Sequence, residues 1–147
     1  MDLSDNRVKL EQLKNLKYLY EVNLQFNSIT QIPQLQPSDF ANLEILNLAY
    51  NNLTVDSVRS LYACSKLKKL DLSSNHLEML PADIKQLGCL EVLNLSGNMI
   101  DSLSCAVNPT LIFKALGSIL RLKHLNLSRN KLSRIHCEQL TPNQDFN

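Results

Sequence analysis

Glycine is scarce: three in 147 residues, scattered, and none arranged as the glycine-rich loop that cradles a phosphate. The four cysteines, Cys64, Cys89, Cys105 and Cys137, form no CxxC pair, so the usual spacing of a zinc site is missing. Nor do they cluster as the cysteines of secreted caps do, and reduced thiols in an intracellular protein, cytoplasmic or nuclear, are the expectation. No apolar run approaches the roughly 18 residues that cross a bilayer, and the opening MDLSDNRVKL has no apolar signal-peptide core. No membrane association is expected. Aromatics make up only 5% of the chain. The histidines, His76, His124 and His136, accompany no candidate nucleophile, so neither catalysis, a metal nor a cofactor is expected.

What the chain does contain is leucine in an uneven pattern. In Leu67 to Leu77, LKKLDLSSNHL, the apolar places are the first, fourth, sixth and eleventh, which no single helix or strand satisfies. A strand explains the middle: Leu70 and Leu72 point to one face, Lys69 and Asp71 to the other. Asn75, where the chain leaves the strand, carries both donors and an acceptor for a tight turn. One such unit cannot close its own apolar face, so copies of itself are the natural partners.

The copies are LYEVNLQFNSI from Leu19, LEILNLAYNNL from Leu43, LEVLNLSGNMI from Leu90 and LKHLNLSRNKL from Leu122, with a truncated unit around Leu3, Asn6 and Val8. Ninth-place asparagines Asn6, Asn27, Asn51, Asn75, Asn98 and Asn130 are separated by 21, 24, 24, 23 and 32 residues. On this LxxLxLxxNxL wording the sequence resembles the leucine-rich repeat family. The resemblance implies an α/β solenoid, with short parallel strands lining a concave face and helical, 3₁₀ and extended segments behind. It implies little about the partner.

One repeat domain is expected over residues 1–135, about six repeats with the first truncated, followed by a tail over 136–147. Leu10, Leu13 and Leu16 have helical or 3₁₀ spacing, and Pro33 and Pro37 predict an extended passage. Thr54 or Asp56 would cap a helix carrying Val58, Leu61 and Tyr62. The wide gap before Asn130 predicts an insertion near 102–109, then a helix begun by Asn108 and Pro109 with an apolar face from Leu111, Ile112, Phe113, Leu116, Ile119 and Leu120. Both ends read as uncapped, which predicts self-association or a place in a longer array.

For function, the outward column of third places reads Glu21, Ile45, Lys69, Val92 and His124, and eighth places add Phe26 and Tyr50 in successive repeats. These seven are the candidate partner-binding residues of a non-catalytic protein-interaction scaffold. Charge suggests an alternative. The net charge is only +1, yet residues 1–56 hold four basic and seven acidic side chains, while residues 111–147 hold six and two. Lys114, Arg121, Lys123, Arg129, Lys131 and Arg134 form a candidate basic end for an acidic partner or a nucleic-acid backbone.

Overall fold

The structure, a computed structural model, describes residues 1–101 and 111–132. It is a leucine-rich repeat solenoid. Five three-residue strands, β1 (Glu21–Asn23), β2 (Ile45–Asn47), β3 (Lys69–Asp71), β4 (Val92–Asn94) and β5 (His124–Asn126), form one parallel sheet in sequential order. The truncated first unit adds a single parallel bridge, Asp2 to Asn23. The register aligns Val22, Leu46, Leu70, Leu93 and Leu125 as an inward row. The first four are no more than 2% exposed, as are Leu24, Leu48, Leu72 and Leu95 two places on. Each fully buried leucine contributes about 1.5–3 kcal/mol, so the core is built layer by layer.

The asparagine ladder closes each turn from inside. Asn75 Nδ2 donates to the carbonyls of Leu48, Leu72 and Ser73 at 3.0, 3.0 and 3.2 Å, and its Oδ1 accepts from the Leu53 amide at 3.0 Å. Asn27, Asn51, Asn98 and Asn130 repeat the donor half across the layer boundary, to Leu3, Leu24, Leu72 and Leu95. Asn6 differs: it is exposed and reaches only the carbonyls of Leu3 and Ser4 within its own unit.

The convex side mixes three conformations. Leu10–Leu13 forms a 3₁₀ turn that buries Leu10 and Leu13, but Leu16 is 44% exposed: it lies beyond the helical turn, so its spacing no longer carries it inward. The passage around Pro33 has no helix or strand. The next repeat satisfies both backbone polar groups of Ile32: Ser57 Oγ accepts from its amide and Ser60 Oγ donates to its carbonyl. Both serines lie on α1 (Val55–Ser60). Thr54 is its N-cap by backbone conformation, without a side-chain cap bond. Tyr62 then donates to Asp83 Oδ1 at 3.0 Å, tying this repeat to the one holding the 3₁₀ turn Ile84–Gln86.

Helix α2 (Leu111–Gly117) forms after the long gap. Leu116 and Ile119 are buried, but Leu120 is 82% exposed. The helix ends at Gly117, so Leu120 leaves the expected apolar face. The insertion near 102–109, Asn108, Pro109, Cys105, Arg134, Cys137 and the tail 136–147 lie outside the described residues.

Candidate concave interaction surface

The outward places of the strands form two straight rows, because parallel register puts equivalent residues one strand spacing apart, about 4.8 Å. The first row is Glu21, Ile45, Lys69, Val92 and His124. Glu21, Lys69 and His124 are exposed, Ile45 and Val92 half-buried. The second row is Asn23, Asn47, Asp71, Asn94 and Asn126. Between them lies a shallow depression of about 300 Å³, lined by both rows from β1 to β4. Four of the seven candidate residues, Glu21, Ile45, Lys69 and Val92, line it; His124 lies past its end.

The second row has a local role that the sequence pattern alone did not reveal. In every unit the fifth-place side chain accepts a hydrogen bond from the amide two residues on: Ser4 to Asp2, Gln25 to Asn23, Ala49 to Asn47, Ser73 to Asp71, Ser96 to Asn94 and Ser128 to Asn126, at 2.8–3.2 Å. These Asx turns end the strand after three residues. Asp71 is further engaged, its Oδ2 accepting from Asn94 Nδ2 at 2.9 Å. The Ser4 amide likewise holds the Asp2 carboxyl below its ordinary range.

Phe26 and Tyr50 stand at the rim, three residues past their strands. Their rings stack with centroids 4.3 Å apart and planes 15° from parallel. Both are about half exposed, and neither lines the depression. Each sits at a left-handed φ, 57° and 53°, a rare choice for a bulky side chain. The eighth place of every unit is left-handed, at Asp5, Phe26, Tyr50, Ser74, Gly97 and Arg129. This conformation aims the eighth-place amide at the next layer, from Phe26 to the Ala49 carbonyl, Tyr50 to Ser73, Ser74 to Ser96 and Gly97 to Ser128. The turn thus requires the conformation and favours glycine. An aromatic pair there is retained against local preference.

On the opposite edge, just before the strands, the second places read Tyr20, Glu44, Lys68, Glu91 and Lys123. Here charges alternate across layers and neutralise one another: Lys68 pairs with Glu44 at 2.6 Å and Lys123 with Glu91 at 2.9 Å. The hydrogen bonds from those lysines hold both carboxyls below their ordinary range, and the bond to Glu44 raises the Lys68 ammonium. Lys69, one residue away but on the outward row, makes no ion pair among the described residues, and neither does Glu21.

The candidate basic residues are spread over three parts of the chain. Lys114, Arg121, Lys123, Arg129 and Lys131 are all exposed. Lys114 is on α2, Arg121 and Lys123 precede β5, and Arg129 and Lys131 follow it. Lys123 is already paired with Glu91, 32 residues earlier. A hollow of about 460 Å³ beside Arg121 and Lys123, larger than the concave depression, also takes in Glu91 and the exposed Leu120. The free thiol of Cys64 is buried and that of Cys89 half-buried; burial pushes the Cys64 thiol up to about 12. Among the described residues no helix is long and apolar enough to cross a membrane, and no group of acids, histidines and cysteines converges as a metal site.

The chain belongs to the leucine-rich repeat family, whose models match residues 17–77, 89–110 and 121–142. Among its relatives, X-ray radiation resistance-associated protein 1 of Mus musculus is 29% identical over 92% of this chain and 18% of its own length. Leucine-rich repeats and immunoglobulin-like domains protein 3 of Homo sapiens is 30% identical over 92% of this chain and 14% of its own. The chain therefore spans less than a fifth of either. A leucine-rich repeat protein of Leptospira interrogans superposes with a TM-score of 0.62 at 25% identity, over 87% of this chain and 36% of that one. An internalin of Listeria monocytogenes has the same TM-score at 22% identity, over 95% and 45%, and shares the fold. Repeats of this kind are in general protein-interaction modules.

Proposed function

We propose that this chain is a non-catalytic scaffold whose protein partner docks on the concave face of β1 to β4, against the rim formed by Phe26 and Tyr50. The observation that carries this reading is the contrast between neighbouring rows. The second-place row neutralises itself through Lys68–Glu44 and Lys123–Glu91, whereas the third-place row leaves Glu21, Lys69 and the aliphatic Ile45 and Val92 facing a depression. A stacked aromatic pair at the rim and a lysine among aliphatic side chains on the face have the composition that interface centres favour. The unpaired thiols of Cys64 and Cys89 support a reducing, intracellular setting in cytoplasm or nucleus. Residues 1–135 act on this reading as one repeat domain. Leu120 and Leu125, exposed before and within β5, offer a separate surface for self-association.

The basic end is the second reading, weakened by the pairing of Lys123 with Glu91. One comparison tests both. An identified partner retained by the wild-type chain is lost with Lys69→Glu or Tyr50→Ala and kept by the pair Arg121→Glu with Lys131→Glu. The reverse pattern, with binding that falls steeply as salt rises, moves the function to the basic end and to an acidic or nucleic-acid partner.

A further inference from the structure

The outward row has a charge order as well as an apolar content. From β1 to β4 it runs acid, aliphatic, base, aliphatic: Glu21, Ile45, Lys69, Val92. The two charged members have no ion-pair partner among the described residues. The Asp71 carboxyl, two residues from Lys69, is engaged by the Ser73 amide and Asn94 Nδ2, and the Met1 ammonium, close to Glu21, donates to the Glu21 backbone carbonyl at 2.7 Å. The registered neighbours of the exposed Lys69 on either side, Ile45 and Val92, are aliphatic and half-buried, so a docked segment that covers all three removes water from around a counter-charge brought to the ammonium and raises the worth of that contact.

Spacing selects the shape of the partner. Successive members of the row lie about 4.8 Å apart, and the strands, three residues long, make a face about 10 Å wide. An α-helix laid across the strands is about 10–12 Å in diameter and brings a residue to the same face every turn, about 5.4 Å. Over the three intervals from Glu21 to Val92 the mismatch accumulates to about 2 Å, which side chains absorb. An extended segment repeats a face every two residues, about 6.8 Å, and drifts by about 6 Å over the same distance. The row matches a helix and not a strand.

Resting on the concave reading above, we infer that the partner segment is an amphipathic helix crossing β1 to β4, with a basic side chain over Glu21, an acidic one over Lys69, and aliphatic ones over Ile45 and Val92.

Two synthetic helices of about 18 residues, long enough to cross the four strands, test the charge order. One carries Lys, Leu, Glu and Leu at successive turns of one face, the other Glu, Leu, Lys and Leu, with alanine and glutamine elsewhere and one covalent staple on the far face. The wild-type chain binds the first on the order of ten-fold more tightly than the second. The double variant Glu21→Lys with Lys69→Glu reverses that preference, and thermal melting checks that it stays folded. Equal binding of both helices by the wild type, with amide protection still on β1 to β4, overturns the charge order but leaves the concave surface standing. Protection elsewhere overturns both. If neither helix binds, the helical partner is overturned, and the concave surface is then judged by loss of the identified partner in Lys69→Glu alone.

Discussion

Phe26 stacks on Tyr50 across the first two strands' turns with ring centroids 4.3 Å apart, while both backbones hold a left-handed φ. The two facts oppose each other. The stack contributes about 0.5–1.5 kcal/mol beyond area, and a non-glycine residue in this region costs about 1–2 kcal/mol. Gly97 fills the same place without that cost.

Tyr50→Gly should therefore lie within about 1 kcal/mol of wild type, since relief of strain offsets the lost stack. Tyr50→Ala loses the stack and keeps the strain, so it should be less stable than Tyr50→Gly by about 1 kcal/mol. Denaturant unfolding of the pair separates the terms. Equal stability of the two variants would mean that the left-handed turn stores no strain.

The ladder predicts a contrast between two asparagines of identical motif position. Asn75→Leu leaves the Leu53 amide buried without its acceptor and removes one of the donors shared by the Leu48, Leu72 and Ser73 carbonyls, and should cost about 2–4 kcal/mol. Asn6→Leu, exposed and bonded only within its own unit, should cost no more than about 0.5 kcal/mol. Similar losses at both places would remove the cross-layer bonds as the cause.

Much of this was legible in the sequence because it is periodic. Leucine spacing located all five strands, and the ninth-place asparagine marked every turn. What stayed hidden depends on register between layers. Lys123 reads as part of an acid-free stretch, yet Glu91, 32 residues earlier, is its neighbour, because the solenoid returns each place to the same edge. Fifth-place Asn and Asp read as family wording until the amide of the residue two places on is seen to bond to each of them. Leu16 and Leu120 keep the apolar spacing but lie beyond the ends of their helical segments, where spacing no longer sets direction.

The alternating edge row gives a pH dependence of definite sign. Hydrogen bonds from Lys68 and Lys123 depress the carboxyls of Glu44 and Glu91 below the ordinary value of 4.5. A group with a depressed folded pKa stabilises above its unfolded pKa and loses that contribution as pH falls through the folded pKa. Stability should thus fall below about pH 4.5, where the unfolded chain takes up more protons than the folded one. Melting at low salt, repeated with Glu44→Gln and Glu91→Gln together, should show a shallower acid decline in the variant. High salt should shrink the difference, because Lys68 and Lys123 are exposed to solvent and the two carboxyls partly exposed. An unchanged decline would show that other carboxyls, Asp2 among them, set the acid limit.

Cys64 is 2% exposed and its thiol is pushed up to about 12, chiefly by burial. The thiolate is the reactive form, so alkylation near pH 8 should modify Cys64 only as fast as the solenoid opens. Half-buried Cys89 should react sooner. Mass-spectrometric mapping of the label over time checks the order, and rapid native-state labelling of Cys64 would contradict the packing around α1.

The inward leucine of β5 breaks the pattern of its row. Leu125 is 40% exposed where Leu93, its registered neighbour, is 1% exposed. Leu93→Ala opens a cavity between two layers and should cost about 3 kcal/mol. Leu125→Ala removes a side chain that solvent already reaches, and about 1 kcal/mol is expected. The self-association proposed above would use this exposed leucine, in a row built to stack, as its surface. Leu125→Lys should then lower the apparent mass seen by sedimentation at high concentration while leaving the melting point within a few degrees. Were Leu125→Ala as damaging as Leu93→Ala, that leucine would belong to a closed core. If Leu125→Lys left the sedimentation behaviour of the chain untouched, self-association through this end would be wrong.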